Sequence, residues 1–524
     1  MIKIVLVFFL VTSSLKAQTA LDELAGHVEA IRSQVTSIRS KTQTVGITNS
    51  QLDHLEDMDA LINRLRADAQ LATLIDGLAV DVAEIKALVS KPLPELPPVD
   101  PIPTPLPEPI PIPPPPVVAP PITESKLIQK EDLIYEGSFR VPSEFTYGGR
   151  VLSFNPVRNT LLLSGHDNTI GDILGEINIH ELLIGPLESL NTATIVTIPF
   201  DPFEGVRGMI APIAATTTMG GVWAEGDSLY MDAHIYYDAA HSQRVSHFER
   251  PLDFSDSGQV KGPFATTAGK PGYIAGYFAS VPPEWQERIG GRVINGLTTD
   301  TIISRTSNGA SAWLIEPTNI GAINPIPVTP LVFYPYGHPI DTPRGGWHSA
   351  SGDWQVPGGS GGEPTYWNGS GSMGTAVWPN GTDTLLFFGV AGIGPFCYGY
   401  GTYDPALHGK PTGISDTVYC YDLVTNPGDK SQHGFPYVYR VWAYKAEDLL
   451  DVKNGVKQSW ELLPYTYWDL SLPLPHASLG SHVRSVLGAT AYDPSTGRIF
   501  VAQQRADAPQ PYARCPVIHV FRIR

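Results

Sequence analysis

An all-β chain closed into a ring of sheet repeats, a β-propeller, is the fold this sequence predicts, and three observations predict it. Residues 148–167, GGRVLSFNPVRNTLLLSGHD, read as strand, tight Asn-Pro turn, strand and a histidine in a loop. Residues 488–504, GATAYDPSTGRIFVAQQ, repeat that plan near the other end of the chain. Matching turn chemistry and apolar pattern at such separation mark a repeat architecture in which each unit is one blade. The third observation is compositional: 50 glycines and 49 prolines among 524 residues exclude a helical protein of this size and require a turn-rich one.

The N-terminal quarter follows a different plan. Residues 1–17, MIKIVLVFFLVTSSLKA, combine an early lysine, an apolar run from Ile4 to Val11 and a small residue at the end, the pattern of an export signal cut after Ala17. The run is short for a membrane span, and no cysteine follows it for lipid attachment. Residues 18–90 carry apolar side chains at Leu21, Leu24, Val28, Ile31, Val35, Ile38 and Val45, and again at Leu71, Ile75, Leu78, Val82, Ile85 and Val89. This three-four spacing is a heptad seam, and Ile and Val in both registers lean toward a trimeric coiled-coil stem. An amphipathic hairpin folding back through residues 46–50 is the alternative.

Residues 91–125 open with KPLPELPPVDPIPTPLPEPIPIPPPPVVAPP. Such a run adopts extended polyproline II and acts as a semi-rigid stalk, on the order of 90 Å at full stretch. From residue 126 to 524 the pattern is β. Strands are expected near 149–154, 160–164, 174–179 and 194–198 in the first unit, and 214–223, 228–233, 244–249 and 259–264 in the second. The third unit has 273–279, 301–304, 311–315 and 331–334, with PPEWQERIGGRV as an insertion. The fourth has 375–378, 384–389, 437–444 and 465–470.

The last unit, 488–492, 498–503 and 517–523, lacks one strand, and residues 133–140, LIYEGSFR, would supply it and close the ring. Closure removes the open sheet edges that invite aggregation. Small residues crowd the innermost strands at Gly148, Gly149, Ala214, Ala215, Gly276, Gly374, Ala376, Gly488 and Ala489. A narrow axis favours such residues and hence five blades, with six or seven if the insertions hide further sheets.

The head resembles, in LIYEGSFRVP, FTYGGRVLSFNP, LLLSGHD and AYDPSTGRIFVAQ, a group of propeller proteins in bacterial and phage sequences. The resemblance covers about three quarters of the chain and implies architecture only, since one fold hosts many functions.

The net charge of −17 argues against a nucleic-acid partner, which would require clustered Lys and Arg. Cys397 and Cys420 bracket a Gly- and Tyr-rich excursion that an exported protein can staple with a disulfide, leaving Cys515 over. No cofactor is expected. No Cys-rich zinc spacing, HExxH, phosphate loop or Rossmann fingerprint occurs, and GGSGG at 358–362 lacks the strand-turn-helix context of a nucleophile elbow.

In a propeller the loops after each second strand gather at one mouth of the axis. Here these positions carry His166, Asp167, His234, Tyr236, Arg305, Gln503 and Gln504, together with residues 390–394. Such planar and hydrogen-bonding groups suit a sugar, a carboxylate or another polar ligand. His166 and His234 could begin a metal site, but no third ligand is evident. The expectation is an exported or surface-displayed, multivalent binding protein of adhesin or receptor-binding type, recognising a glycan or a protein. The alternative is a secreted polysaccharide hydrolase or lyase, for which Asp167, Glu204 and Asp232 are the candidate carboxyls. Aromatics in the insertions, Trp285, Tyr398, Tyr400 and Tyr403 among them, could stack on sugars but are by default core. The glycine-rich run 344–372, with Trp347, Trp354, Tyr366 and Trp367, is the better expected surface.

Overall fold

The structure is a computed structural model that describes residues 126–524 apart from 168–170, 211–216, 239–241, 256–257, 298–301, 303–304, 339–365, 415–416, 425–427, 429, 475–485 and 511. The segments expected as leader, stem and proline stalk lie outside the described residues, as do the Asp167 side chain, Ala214, Ala215, Trp347, Trp354 and the GGSGG run.

The described residues form five four-stranded antiparallel sheets and one small three-stranded sheet. Strand β1, Leu133–Arg140, precedes the first sheet, which comprises β2 Leu152–Asn155, β3 Thr160–Asp167, β4 Gly171–Asn178 and β5 Ile195–Phe200. The second comprises β6 Thr217–Glu225, β7 Ser228–Ile235, β8 His247–Pro251 and β9 Lys261–Phe264. The third comprises β10 Tyr277–Ser280, β11 Val293–Gly296, β12 Ala312–Ile315 and β13 Val328–Val332.

The fourth sheet joins β14 Ser372–Val377 and β15 Thr384–Gly392 to β19 Tyr437–Lys445 and β20 Thr466–Asp469. Between them the cysteine-bracketed excursion forms its own sheet from β16 Cys397–Thr402, β17 Tyr419–Tyr421 and β18 Lys430–His433. Cys397 and Cys420 are disulfide-bonded, and Cys515 is a buried free thiol.

The closing sheet runs in the order β1, β23 Cys515–Ile523, β22 Arg498–Asp507 and β21 Leu487–Asp493. Residues 133–140 thus take the place expected of them, antiparallel to the last strand, from Leu133 opposite Ile523 to Arg140 opposite Val517. The first strands of the five sheets, β2, β6, β10, β14 and β21, neighbour one another in that cyclic order. Glycine is required where they meet: a Cβ on Gly488 would lie 1.9 Å from the Gly149 carbonyl oxygen, which accepts the Ala489 N–H at 2.9 Å.

Period-2 alternation fills the spaces between sheets. In β22, Ile499 and Val501 pack toward the fourth sheet while Phe500 and Ala502 pack toward the first. In β3, Leu161 and Leu163 face the closing sheet and Leu162 faces the second. Strands buried on both faces read as continuous apolar runs, which is why LLL and RIFVA are so legible.

Three expectations are corrected. The second strand of the third unit is Val293–Gly296 rather than 301–304, because PPEWQERI folds as helix α2, Pro283–Ile289, and the strand begins at once after it. Residues 273–276, expected as strand, begin in the short helix α1, Pro271–Ile274, and the strand starts only at Tyr277. Trp367 belongs to the core between third and fourth sheets, with its indole N–H donated to the Asn308 carbonyl, so it offers no exposed surface.

Candidate functional site

The strands β3 and β7 run further than the sequence predicts, and this decides where the expected site residues fall. His166 is the penultimate residue of β3, on the Leu162 face, with its side chain 40% exposed. Its Nδ1 lies 3.7 Å from Asp172 Oδ1 at the start of β4. Around Asp172 gather Arg150, 3.9 Å away, the Met219 N–H at 3.0 Å, and Arg207, which donates to the Asp172 carbonyl oxygen at 2.6 Å. Burial alone would raise the Asp172 carboxyl, but His166, Arg150, the Met219 N–H and Arg207 together hold it below the usual carboxylate range.

His234 is buried, which corrects the expectation of a solvent-facing loop residue. It lies within β7, where Asp232 and His234 share the face turned to the third sheet and Met231 and Ala233 turn to the first. Its Nδ1–H donates to the Ala275 carbonyl oxygen at 2.7 Å, and its buried Nε2 has no hydrogen-bond partner. Burial pushes its pKa down to about 4, with the Ala275 bond opposing, and it lies within electrostatic reach of Arg150 and Asp172. The imidazole is neutral at physiological pH.

Asp232, a carboxyl considered for catalysis, is wholly buried in a polar seam between second and third sheets. It accepts the Gly221 N–H at 2.6 Å and Asn295 Nδ2–H at 2.7 Å, while Asn295 Oδ1 accepts from His247 Nε2 at 3.0 Å. Burial raises the Asp232 carboxyl to about 8 and lowers His247 to about 4. Glu204, a second candidate, is 2.9 Å from Arg250. Both carboxyls are engaged in holding structure.

Gln503 is also misplaced by the sequence reading. It is fully buried on the β22 face turned to the fourth sheet, donating to the Tyr439 hydroxyl at 3.0 Å and meeting His519 Nε2 at 2.9 Å. Gln504, one residue on, faces the first sheet, half-buried against Gly149 and Gly488.

Tyr236 and Arg305 do come together. They line one pocket of about 380 Å³, Tyr236 just beyond β7 and Arg305 in the connection from β11 to β12. Arg244 and Lys270 line it too. Lys270 lies in the connection between second and third sheets, a class of segment that also reaches this face of a propeller, and that was the available signal for it. Arg244 lies in the loop from β7 to β8, of the class expected at this mouth, but was expected as the first residue of the next strand, which begins only at His247. A Cβ on Gly272 of α1 would lie 2.5 Å from the Arg305 carbonyl oxygen, so glycine there lets the two walls close.

A second cavity, about 250 Å³, lies at the opposite end of the inner strands, lined by Ser153, Trp223, Phe278, Ala376 and Thr490 and by Pro156 and Pro494 of the first turns. In the excursion, Asp422, His433 and Ser431 stand in line, with His433 Nδ1 3.0 Å from Asp422 Oδ2 and Nε2 3.2 Å from Ser431 Oγ. His433 is 1% exposed, its Nε2 is 3.3 Å from the Gly399 carbonyl oxygen, and Tyr437 donates to the same Asp422 oxygen at 2.8 Å. So closed an imidazole braces the small sheet; it offers no room for a substrate. Among the described residues no group of three or more His, Cys, Asp or Glu could hold a metal ion.

No protein-family model and no curated protein matches this chain. Among solved structures, a luciferin-regenerating enzyme is similar at 8% sequence identity and a TM-score of 0.27, covering 74% of this chain and 94% of that one. A likeness at that score carries no argument about chemistry. The chain's own sheets place it instead: repeated four-stranded antiparallel sheets, with the N-terminal strand paired to the C-terminal one, make a β-propeller-like fold.

Proposed function

We propose that the chain is an exported, multivalent binding protein whose five-bladed propeller head recognises a surface ligand, a glycan in the first instance. The convergence of Tyr236 and Arg305, contributed by different sheets, on one pocket that Arg244 and Lys270 also line carries this reading. The apolar leader supports delivery to the envelope or beyond, and the heptads of residues 18–90 support a trimeric stem. Three heads on one trimeric stem, each at the end of its own proline segment, would convert weak single contacts into strong attachment through effective concentration.

The polysaccharide-cleaving alternative needs two carboxyl groups across a sugar. Of the three candidates, Asp232 and Glu204 are each tied into structural contacts and the Asp167 side chain lies outside the described residues, so no pair of them supports cleavage and the binding reading is preferred. The test is incubation of the full chain with a polysaccharide panel. Retention without product, lost in Tyr236→Ala and Arg305→Ala, is the expected outcome; release of shortened sugars by the wild-type chain and not by these variants would replace binding with turnover.

A further inference from the structure

The pocket of Tyr236 and Arg305 stands out electrostatically in so acidic a chain. Among the described residues, Arg244, Lys270 and Arg305 line it with one carboxylate, Asp238, whereas the chain as a whole carries a net −17. Asp238 is turned to its own loop: one carboxylate oxygen accepts the Ser242 N–H and hydroxyl, each at 2.8 Å, and the other accepts the Gln243 N–H at 2.9 Å. Its own loop thus supplies three donors to that carboxylate.

Those cations are held by the fold. Arg244 Nη1 donates to the Gln243 carbonyl at 3.0 Å, and Lys270 Nζ stands 5.8 Å from the centroid of the Tyr273 ring. The Arg305 backbone N–H donates to the Ile302 carbonyl at 2.9 Å. Guanidinium forks match the geometry of a carboxylate, and an ammonium adds a compact charge beside them. Tyr236, 45% exposed, supplies a flat face with a polar tip.

Resting on the binding function proposed above, we infer that this pocket takes a carboxylate-bearing sugar, a uronic or sialic acid residue of a surface polysaccharide. The carboxylate sits among Arg305, Arg244 and Lys270, and the ring lies against Tyr236. A compact volume of about 380 Å³ fits one or two sugar rings better than an extended acidic peptide, which needs a groove.

The test is calorimetric binding of the full chain to four oligosaccharides, bearing galacturonate, glucuronate, mannuronate or sialic acid, each beside its neutral counterpart, with an oligoglutamate peptide as a further probe. At least one acidic sugar should bind at least tenfold more tightly than its neutral partner and weaken as salt rises. Arg305→Gln and Arg244→Gln should each lose at least tenfold while unfolding at the wild-type temperature. Equal binding of acidic and neutral sugars, abolished by Tyr236→Ala, would overturn the carboxylate while leaving the glycan-binding function intact. Binding of oligoglutamate alone would overturn the sugar, and retention of acidic sugar by both arginine variants would move the site elsewhere. If none of the eight sugars nor the peptide binds, both the inference and the function it rests on fall.

Discussion

The closing sheet joins the two ends of the domain, whereas the cysteine-bracketed excursion folds from one short stretch, residues 397–433, and the two are held by different balances of forces. In the closing sheet the two ends of the domain meet along a ladder from Leu133–Ile523 to Arg140–Val517, and both faces are covered, by the fourth sheet on one side and the first on the other. Apolar burial on two faces is the main contribution there, with the ion pairs Arg140–Asp507 and Arg498–Glu136 added to it, and its loss is felt by every neighbour. The excursion has three short strands and half-exposed tyrosines such as Tyr398. It is held by the Cys397–Cys420 bond and by Asp422, which accepts from His433 and Tyr437 and from the Val424 N–H at 2.9 Å. Where a segment cannot reach a second covering layer, covalent and charged contacts replace burial.

Removing residues 515–524 is the severest challenge to this contrast. It strips β1 and β22 of their partner together with Val517, Ile518, Val520 and Phe521, and the head should lose its β circular dichroism and its protease resistance entirely. Survival of a folded remnant would show that the ring does not depend on its closure. Next in size, Phe500→Ala should cost about 3–5 kcal/mol and lower the single melting transition of the head.

The double variant Cys397→Ser, Cys420→Ser should cost about 2–4 kcal/mol within the excursion. Hydrogen exchange should accelerate across residues 397–433 while the main transition barely moves. If the main transition drops as far as in Phe500→Ala, the excursion is part of the ring's cooperative unit and the distinction between the two regions fails.

Smaller still is a pH effect that belongs to the ring. Burial depresses His234 and His247 from 6.5 to about 4 and His519 to about 3. Between these values the unfolded chain binds more protons than the folded one, so stability declines as pH falls below about 6.5. Asp232 acts at the other end: raised from 3.8 to about 8, it keeps its proton in the folded state, and stability declines as pH rises through that window. Thermal melts against pH should show both limbs, and Asp232→Asn should flatten the alkaline one.

Much of the architecture was legible because local chemistry and global role agree in it. The turns NPVRN and DPSTG mark β2–β3 and β21–β22 directly, since Asn and Asp before proline cap a tight turn between apolar runs. Asn155 Oδ1 accepts the Val157 N–H and Asp493 Oδ1 the Ser495 N–H, each two residues on. The ring closure could be read because a unit short of one strand requires a donor. The third unit was less legible: Gly290, the left-handed C-cap of α2, and Gly291 do mark the boundary, but the strand beyond them is only four residues long and PPEWQERIGGRV, read as one insertion, absorbs its first residue.

The sequence by itself determined the repeat, the closing strand and the cysteine pair, because these depend on periodicity and turn residues that each segment carries alone. Only the tertiary structure decided which candidate site residues face a cavity. A strand that continues by two residues turns His234 toward the third sheet, and the pleat sends Gln503 to the fourth sheet and Gln504 to the first. Tyr236 and Arg305 met Arg244 and Lys270 only because two sheets pack side by side. That proximity is a property of the packed ring, and no local pattern in the chain encodes it.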